Sequence, residues 1–85
     1  MSFEEAREKF EKANEEEDVA EKRYLMFLSF QNLLDELGKN LVSELDGFDG
    51  FIYKNSQDFL TSSSSYEKEK KLEKILDYFE RKYVD

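Results

Sequence analysis

The stretch VAEKRYLMFLSFQNLLDELGKNLVSE, residues 19–44, decides how this chain folds. Within it Ala20, Tyr24, Phe27, Leu34, Leu37 and Leu41 recur along one face at helical spacing, and Leu45 extends the row. Met26, Leu28, Phe30 and Leu33 widen that face. A stripe so broad predicts a helix packed on two sides, the central member of a bundle. Gly38 looks like a stop signal, yet the apolar phase runs through it without a slip. The helix is therefore expected to reach about Glu44, at a cost of about 1 kcal/mol for an internal glycine. An end at Leu37, with Gly38 as the cap, is the alternative.

Toward the N-terminus, Phe3, Ala6, Phe10 and Ala13 form a second helical row, which predicts a first helix over about residues 3–14. Ser2 and Glu5 form an S-x-x-E capping box, and Glu4 and Glu5 sit where a helix dipole favours anions. Between the two rows, residues 14–18 (NEEED) hold no apolar side chain, and Asp18 is a fair N-cap for a helix from Val19 onward. A turn there is the favoured reading. One continuous helix over residues 3–45 is the alternative, and it would need a partner chain to cover it.

Toward the C-terminus, residues 46–50 (DGFDG) break the long helix, since Asp-Gly steps favour tight turns. Asn55-Ser56 then caps a brief third helix through Phe59-Leu60. Residues 61–65 (TSSSS) read as a polar linker that ends in another capping box, Ser64 with Glu67. A fourth helix is expected over about residues 65–83, with Leu72, Ile75, Leu76, Phe79 and Tyr83 on its inner face. Lys68, Lys70, Lys71, Lys74, Glu67, Glu69 and Glu73 fall on its other side, read as solvated surface. The expected architecture is all-α: a small three- to four-helix bundle in one domain over residues 1–85, with a long central helix and a short third one.

Composition narrows the function. Cysteine and histidine are both absent, which removes thiol chemistry, the usual general base and the commonest transition-metal ligand. Asp46 and Asp49 lack the alternating oxygen ligands and later glutamate of a calcium loop, so no metal and no cofactor is expected. Paired carboxylates have no marked partner and no cleft to work in, so an enzyme is the least favoured class. The N-terminus is charged from Glu4 onward and the longest apolar run is far short of a membrane span, which predicts a cytoplasmic protein off the membrane.

The formal net charge is -8, concentrated in two stretches. Residues 2–18 hold eight acids against three bases, and residues 35–49 hold five acids against one. Such a field repels nucleic acid and anionic membrane and steers toward basic surfaces. In the second stretch the acids Asp35, Glu36, Glu44, Asp46 and Asp49 surround Phe48, Phe51 and Tyr53. Aromatic anchors ringed by charge are the composition of a protein interface, so these eight residues are the candidate partner-binding set.

The segment Asp46-Gly-Phe-Asp49-Gly-Phe-Ile-Tyr53 resembles the D-G-x-D-L-I-Y-Y segment of the immunity proteins that neutralise DNase-type colicins. Asp49 and Tyr53 stand at matching positions, Phe51 stands where the family has Ile, and Ile52 replaces its first Tyr. Glu44-Leu45 replaces the family's His-Pro, and Lys54 replaces a Pro. The resemblance implies a four-helix layout in which acids of the second helix set specificity and tyrosines of a very short third helix anchor a nuclease. The leading expectation is thus a non-enzymatic acidic protein that binds, and blocks, a basic partner such as a nuclease or another nucleic-acid-handling protein. The runner-up is an assembly module whose long apolar face forms a homodimer or docks a partner helix.

Overall fold

The computed structural model of the chain describes the backbone of residues 2–43 and 50–84, and the side chains of residues 3–36 and 50–84. The fold is all-α. Four helices occur in the order α1 (Ser2–Glu15), α2 (Val19–Ser43), α3 (Gly50–Thr61) and α4 (Ser65–Phe79), and no strand is present among the described residues. A π-helical turn, Glu80–Val84, extends α4. Two compact units divide the chain: Met1–Phe48, which holds α1 and α2, and Asp49–Asp85, which holds α3 and α4.

In the first unit, residues 16–18 form the turn expected across residues 14–18, Asn14 and Glu15 being the last residues of α1. The α1 helix closes with the Glu16 amide donating to the Ala13 carbonyl at 3.2 Å. Asp18 then caps α2, its carboxylate accepting from the Glu21 amide at 3.1 Å and its carbonyl from the Lys22 amide at 2.8 Å. The α2 helix runs through Gly38 to Ser43, close to the expected end. Phe3, Ala6, Phe10 and Ala13 are all buried, as the spacing of α1 requires.

The face that α2 buries is the wider flank of its stripe. Met26, Ser29, Phe30 and Leu33 are the buried positions, whereas Ala20, Tyr24, Phe27 and Leu34 are exposed. This corrects the expectation that the latter row forms the packed centre. Small residues explain the choice. Ala6 and Ser29 are both fully buried, and the Ser29 hydroxyl donates to the Ala6 carbonyl at 2.6 Å. That bond needs the two helices close together, which Tyr24 or Phe27 at the contact would prevent. One turn on, Lys9 Nζ reaches Asn32 Oδ1 at 2.7 Å.

In the second unit, α3 is a longer element than the capped turn expected at Asn55-Ser56. It begins at Gly50, and Asn55 lies inside it with its side-chain amide donating to the Phe51 carbonyl one turn back at 2.9 Å. Glycine at a first helical position carries little of its mid-helix penalty, so Gly50 does not keep residues 50–53 out of the helix, and the rest of the turn expected at residues 46–50 lies outside the described residues. Against it, α4 runs antiparallel. Phe51 stacks on Tyr78 with centroids 4.3 Å apart, and Asp58 pairs with Lys71 at 3.3 Å, the contacts being seven residues apart along both helices. Ile52, Phe59, Leu72, Ile75, Leu76 and Phe79 are buried.

Lys68 is buried as well, which corrects its placement on the solvated face. Its ammonium donates to the Phe59 carbonyl at 2.7 Å and lies 5.2 Å from the centre of the Phe59 ring. Phe59 and Leu60 are among the last residues of α3, whose carbonyls have no partner within their own helix. A cation there also meets the negative end of the helix dipole. Ser64 caps α4 by accepting from the Glu67 amide at 3.4 Å, as the S-x-x-E pattern predicts.

Candidate partner-binding surface

The eight candidate residues divide between the two units. Asp35 is exposed and Glu36 half-buried on α2 of the first unit. Phe51 and Tyr53 lie in the first turn of α3 in the second. Glu44, Asp46, Phe48 and Asp49 fall outside the described residues, and with them the acids closest in sequence to the aromatics.

Both described aromatics are exposed, Phe51 at 40% and Tyr53 at 48%. Their helical positions keep them apart. Residues two apart on a helix point about 200° from each other, and the residue between them, Ile52, is buried. Phe51 therefore borders α4, where it stacks on Tyr78, while Tyr53 points away from that border. The Tyr53 hydroxyl accepts from Gln57 Nε2 at 2.7 Å, one turn along on the same side. Each ring offers an accessible edge, but the two do not share one face.

The charge is unevenly placed. Residues 1–48 carry thirteen acids and six bases, a net of -7, and residues 49–85 carry eight acids and seven bases, a net of -1. In the first unit Glu4, Glu5, Glu8, Glu11, Glu15 and Glu17 are exposed. Several bases among them lie down on the helix pair instead of projecting. The Arg7 guanidinium sits 5.7 Å from the centre of the Phe3 ring, and Lys9 is half-buried on Asn32. Lys12 pairs with Glu8 at 3.5 Å. Six exposed glutamates against two half-buried bases, Arg7 and Lys9, and one exposed base, Lys12, leave the surface of α1 and the turn after it predominantly anionic.

One feature of this surface entered the sequence reading only as the apolar face of the assembly-module alternative, and not among the eight candidate residues. Tyr24 is 57% exposed, Phe27 42% and Leu34 43%, and together with exposed Ala20 they form a straight row along α2. The signal was the heptad spacing itself, which core and interface positions share.

Among the described residues no group of three or more histidines, cysteines or carboxylates is placed to hold a metal ion, and no helix is long and apolar enough to cross a membrane. No family model, curated protein or solved structure matches the chain.

Proposed function

We propose that this is a non-enzymatic acidic helical protein that binds, and thereby blocks, a basic protein partner, with a nuclease or other nucleic-acid-handling protein as the natural target. The observation that carries the reading is the concentration of charge in the first unit, a net of -7 on residues 1–48, with Glu4, Glu5, Glu8, Glu11, Glu15 and Glu17 all exposed on α1 and the turn after it. A nucleic-acid-binding protein presents a positive surface that phosphates would otherwise occupy, and carboxylates arrayed on a rigid helix pair compete for it. The partial likeness of residues 46–53 to the immunity proteins of DNase-type colicins agrees in kind: acids steer, aromatics anchor. On this reading the protein acts in the cytoplasm, needs no cofactor, and binds neither nucleic acid nor membrane.

The test is affinity capture with the full chain, with bound proteins identified by mass spectrometry at about 0.1 M and 1 M salt, between which the screening length falls from about 10 Å to about 3 Å. Basic proteins retained at low salt and released at high salt are the expected outcome. Retention that ignores salt, or retention of acidic proteins, refutes it.

A second reading is supported by the exposed row Tyr24, Phe27 and Leu34: an assembly module that forms a helical homodimer or docks a partner helix. A salt-insensitive dimer in sedimentation would favour it, whereas the first reading allows a monomer.

A further inference from the structure

We infer that the outward face of α2 is a docking surface for a basic amphipathic helix of the partner. The inference rests on the proposal of a basic partner and names the surface that meets it. Ala20, Tyr24, Phe27, Gln31 and Leu34 succeed one another at alternating steps of four and three, the spacing of a coiled-coil seam, and all five are exposed. From Ala20 to Leu34 the row spans about 21 Å at 1.5 Å per residue, long enough for four turns of a partner helix. Exposed apolar residues are ordinary when scattered, but contiguous rows mark interaction sites.

The charges bordering the row select its occupant. One edge of the row, which carries buried Phe30 and the half-buried base Arg23, is turned toward α1. Along the open edge stand Glu21 and Asp35, two heptads apart, both exposed and both acidic. A second copy of this chain fits badly. Antiparallel packing through the row brings Glu21 of one copy beside Asp35 of the other at both ends, and each copy adds a formal charge of -8. Like charges in such positions destabilise the pair. A helix with leucine-type residues at i, i+4, i+7 and i+11, flanked by Lys or Arg, satisfies both the row and its border.

The experiment uses the full chain and two synthetic 18-residue helical peptides that share one leucine pattern, one with lysine flanks and one with glutamate flanks, titrated calorimetrically at low salt. The lysine peptide is expected to bind and the glutamate peptide not. Phe27→Ser with Leu34→Ser should weaken binding about thirtyfold or more, the loss typical of central interface anchors. Tyr66→Ser on α4, 66% exposed and remote in sequence, should leave it unchanged. Glu21→Lys with Asp35→Lys changes only exposed side chains, so it tests the border without touching packing; it should cut lysine-peptide binding about tenfold and improve that of the glutamate peptide.

Lysine-peptide binding that survives both double variants overturns the surface while leaving the basic-partner reading intact. Failure of the lysine peptide to bind, with basic proteins still captured by the chain, does the same. Equal binding of both peptides overturns the surface and the basic-partner reading together. A dimer that Phe27→Ser with Leu34→Ser dissociates shows that a second copy covers the face, and unfolding of that variant shows that the face is core; either result overturns the inference.

Discussion

Replacing Lys68 with Met keeps the apolar stem and removes only the ammonium, which makes it the sharpest probe of how α3 and α4 are joined. The ammonium donates to the Phe59 carbonyl at 2.7 Å and sits at the C-terminal end of α3, with the residue only 6% exposed. A hydrogen bond to a charged group contributes about 1.5–3 kcal/mol, and a cation at a helix C-terminus adds about 0.3–1 kcal/mol. Two effects reduce the loss. The Ser62 hydroxyl also donates to the Phe59 carbonyl, at 3.1 Å, so that oxygen is not left bare. Methionine is also spared the desolvation that burial imposes on an ammonium. The net expectation is a destabilisation of about 1–2 kcal/mol, near the lower end of the gross terms. For a chain of this size that corresponds to a fall in Tm of roughly 5–15 °C, read by circular dichroism at the helical band. Ser62→Ala alone should cost less than about 1 kcal/mol, but combined with Lys68→Met the loss should exceed the sum of the two, because the carbonyl then has neither donor. A Lys68→Met variant as stable as the parent, or more so, would refute the reasoning and show that the buried ammonium is a net burden.

Three further substitutions test the helix pairs. Asp18→Ala removes the side-chain cap on the Glu21 amide and should destabilise by about 1 kcal/mol in thermal melts, with Asp18→Ser largely restoring it. Ser29→Leu forces a large side chain into the fully buried contact with Ala6 and should cost about 1–3 kcal/mol in urea unfolding, against about 1 kcal/mol for Ser29→Ala. Gly50→Ala meets no atom within 4 Å and should leave stability unchanged or raise it by about 0.5 kcal/mol, whereas a marked loss would show that α3 does not begin there.

How much of this was legible in the sequence depends on whether a local rule or a distant contact decides the residue. The α1 helix was legible because Phe3, Ala6, Phe10 and Ala13 allow only one buried face. The α2 helix was legible in length, since its period passes Gly38 without a slip. Its orientation was not, because the row through Tyr24 and the row through Met26 both satisfy the helical period. What separates them is Ser29, a polar residue that periodicity skips and that becomes buried only by finding the Ala6 carbonyl. Lys68 was unreadable for a similar reason. Its neighbours in sequence are charged, and only the carbonyls at the end of α3 give its ammonium a place inside. At the candidate surface, Phe51 and Tyr53 were legible as contact candidates, but their placement in a regular helix was not. Gly50 read as part of a turn because glycine permits one, and permission is weaker evidence than requirement.

The exposed row on α2 also bears on what folding alone explains. A chain of this length buries only about 60% of the surface its unfolded form exposes, so large apolar side chains are scarce resources for its core. Burying a side chain of the size of Phe or Leu contributes about 1.5–3 kcal/mol. Phe3, Phe10, Phe30, Phe59 and Phe79 make that contribution, whereas Tyr24, Phe27 and Leu34 stand outside. Their spacing is that of a helix–helix seam, which is the feature the proposed docking of a basic helix uses. Its acid border lies within the unit that holds nearly all of the net charge. Apolar contact and electrostatic steering are therefore both available on one helix pair, and a partner that satisfies both must carry an apolar stripe flanked by positive charge.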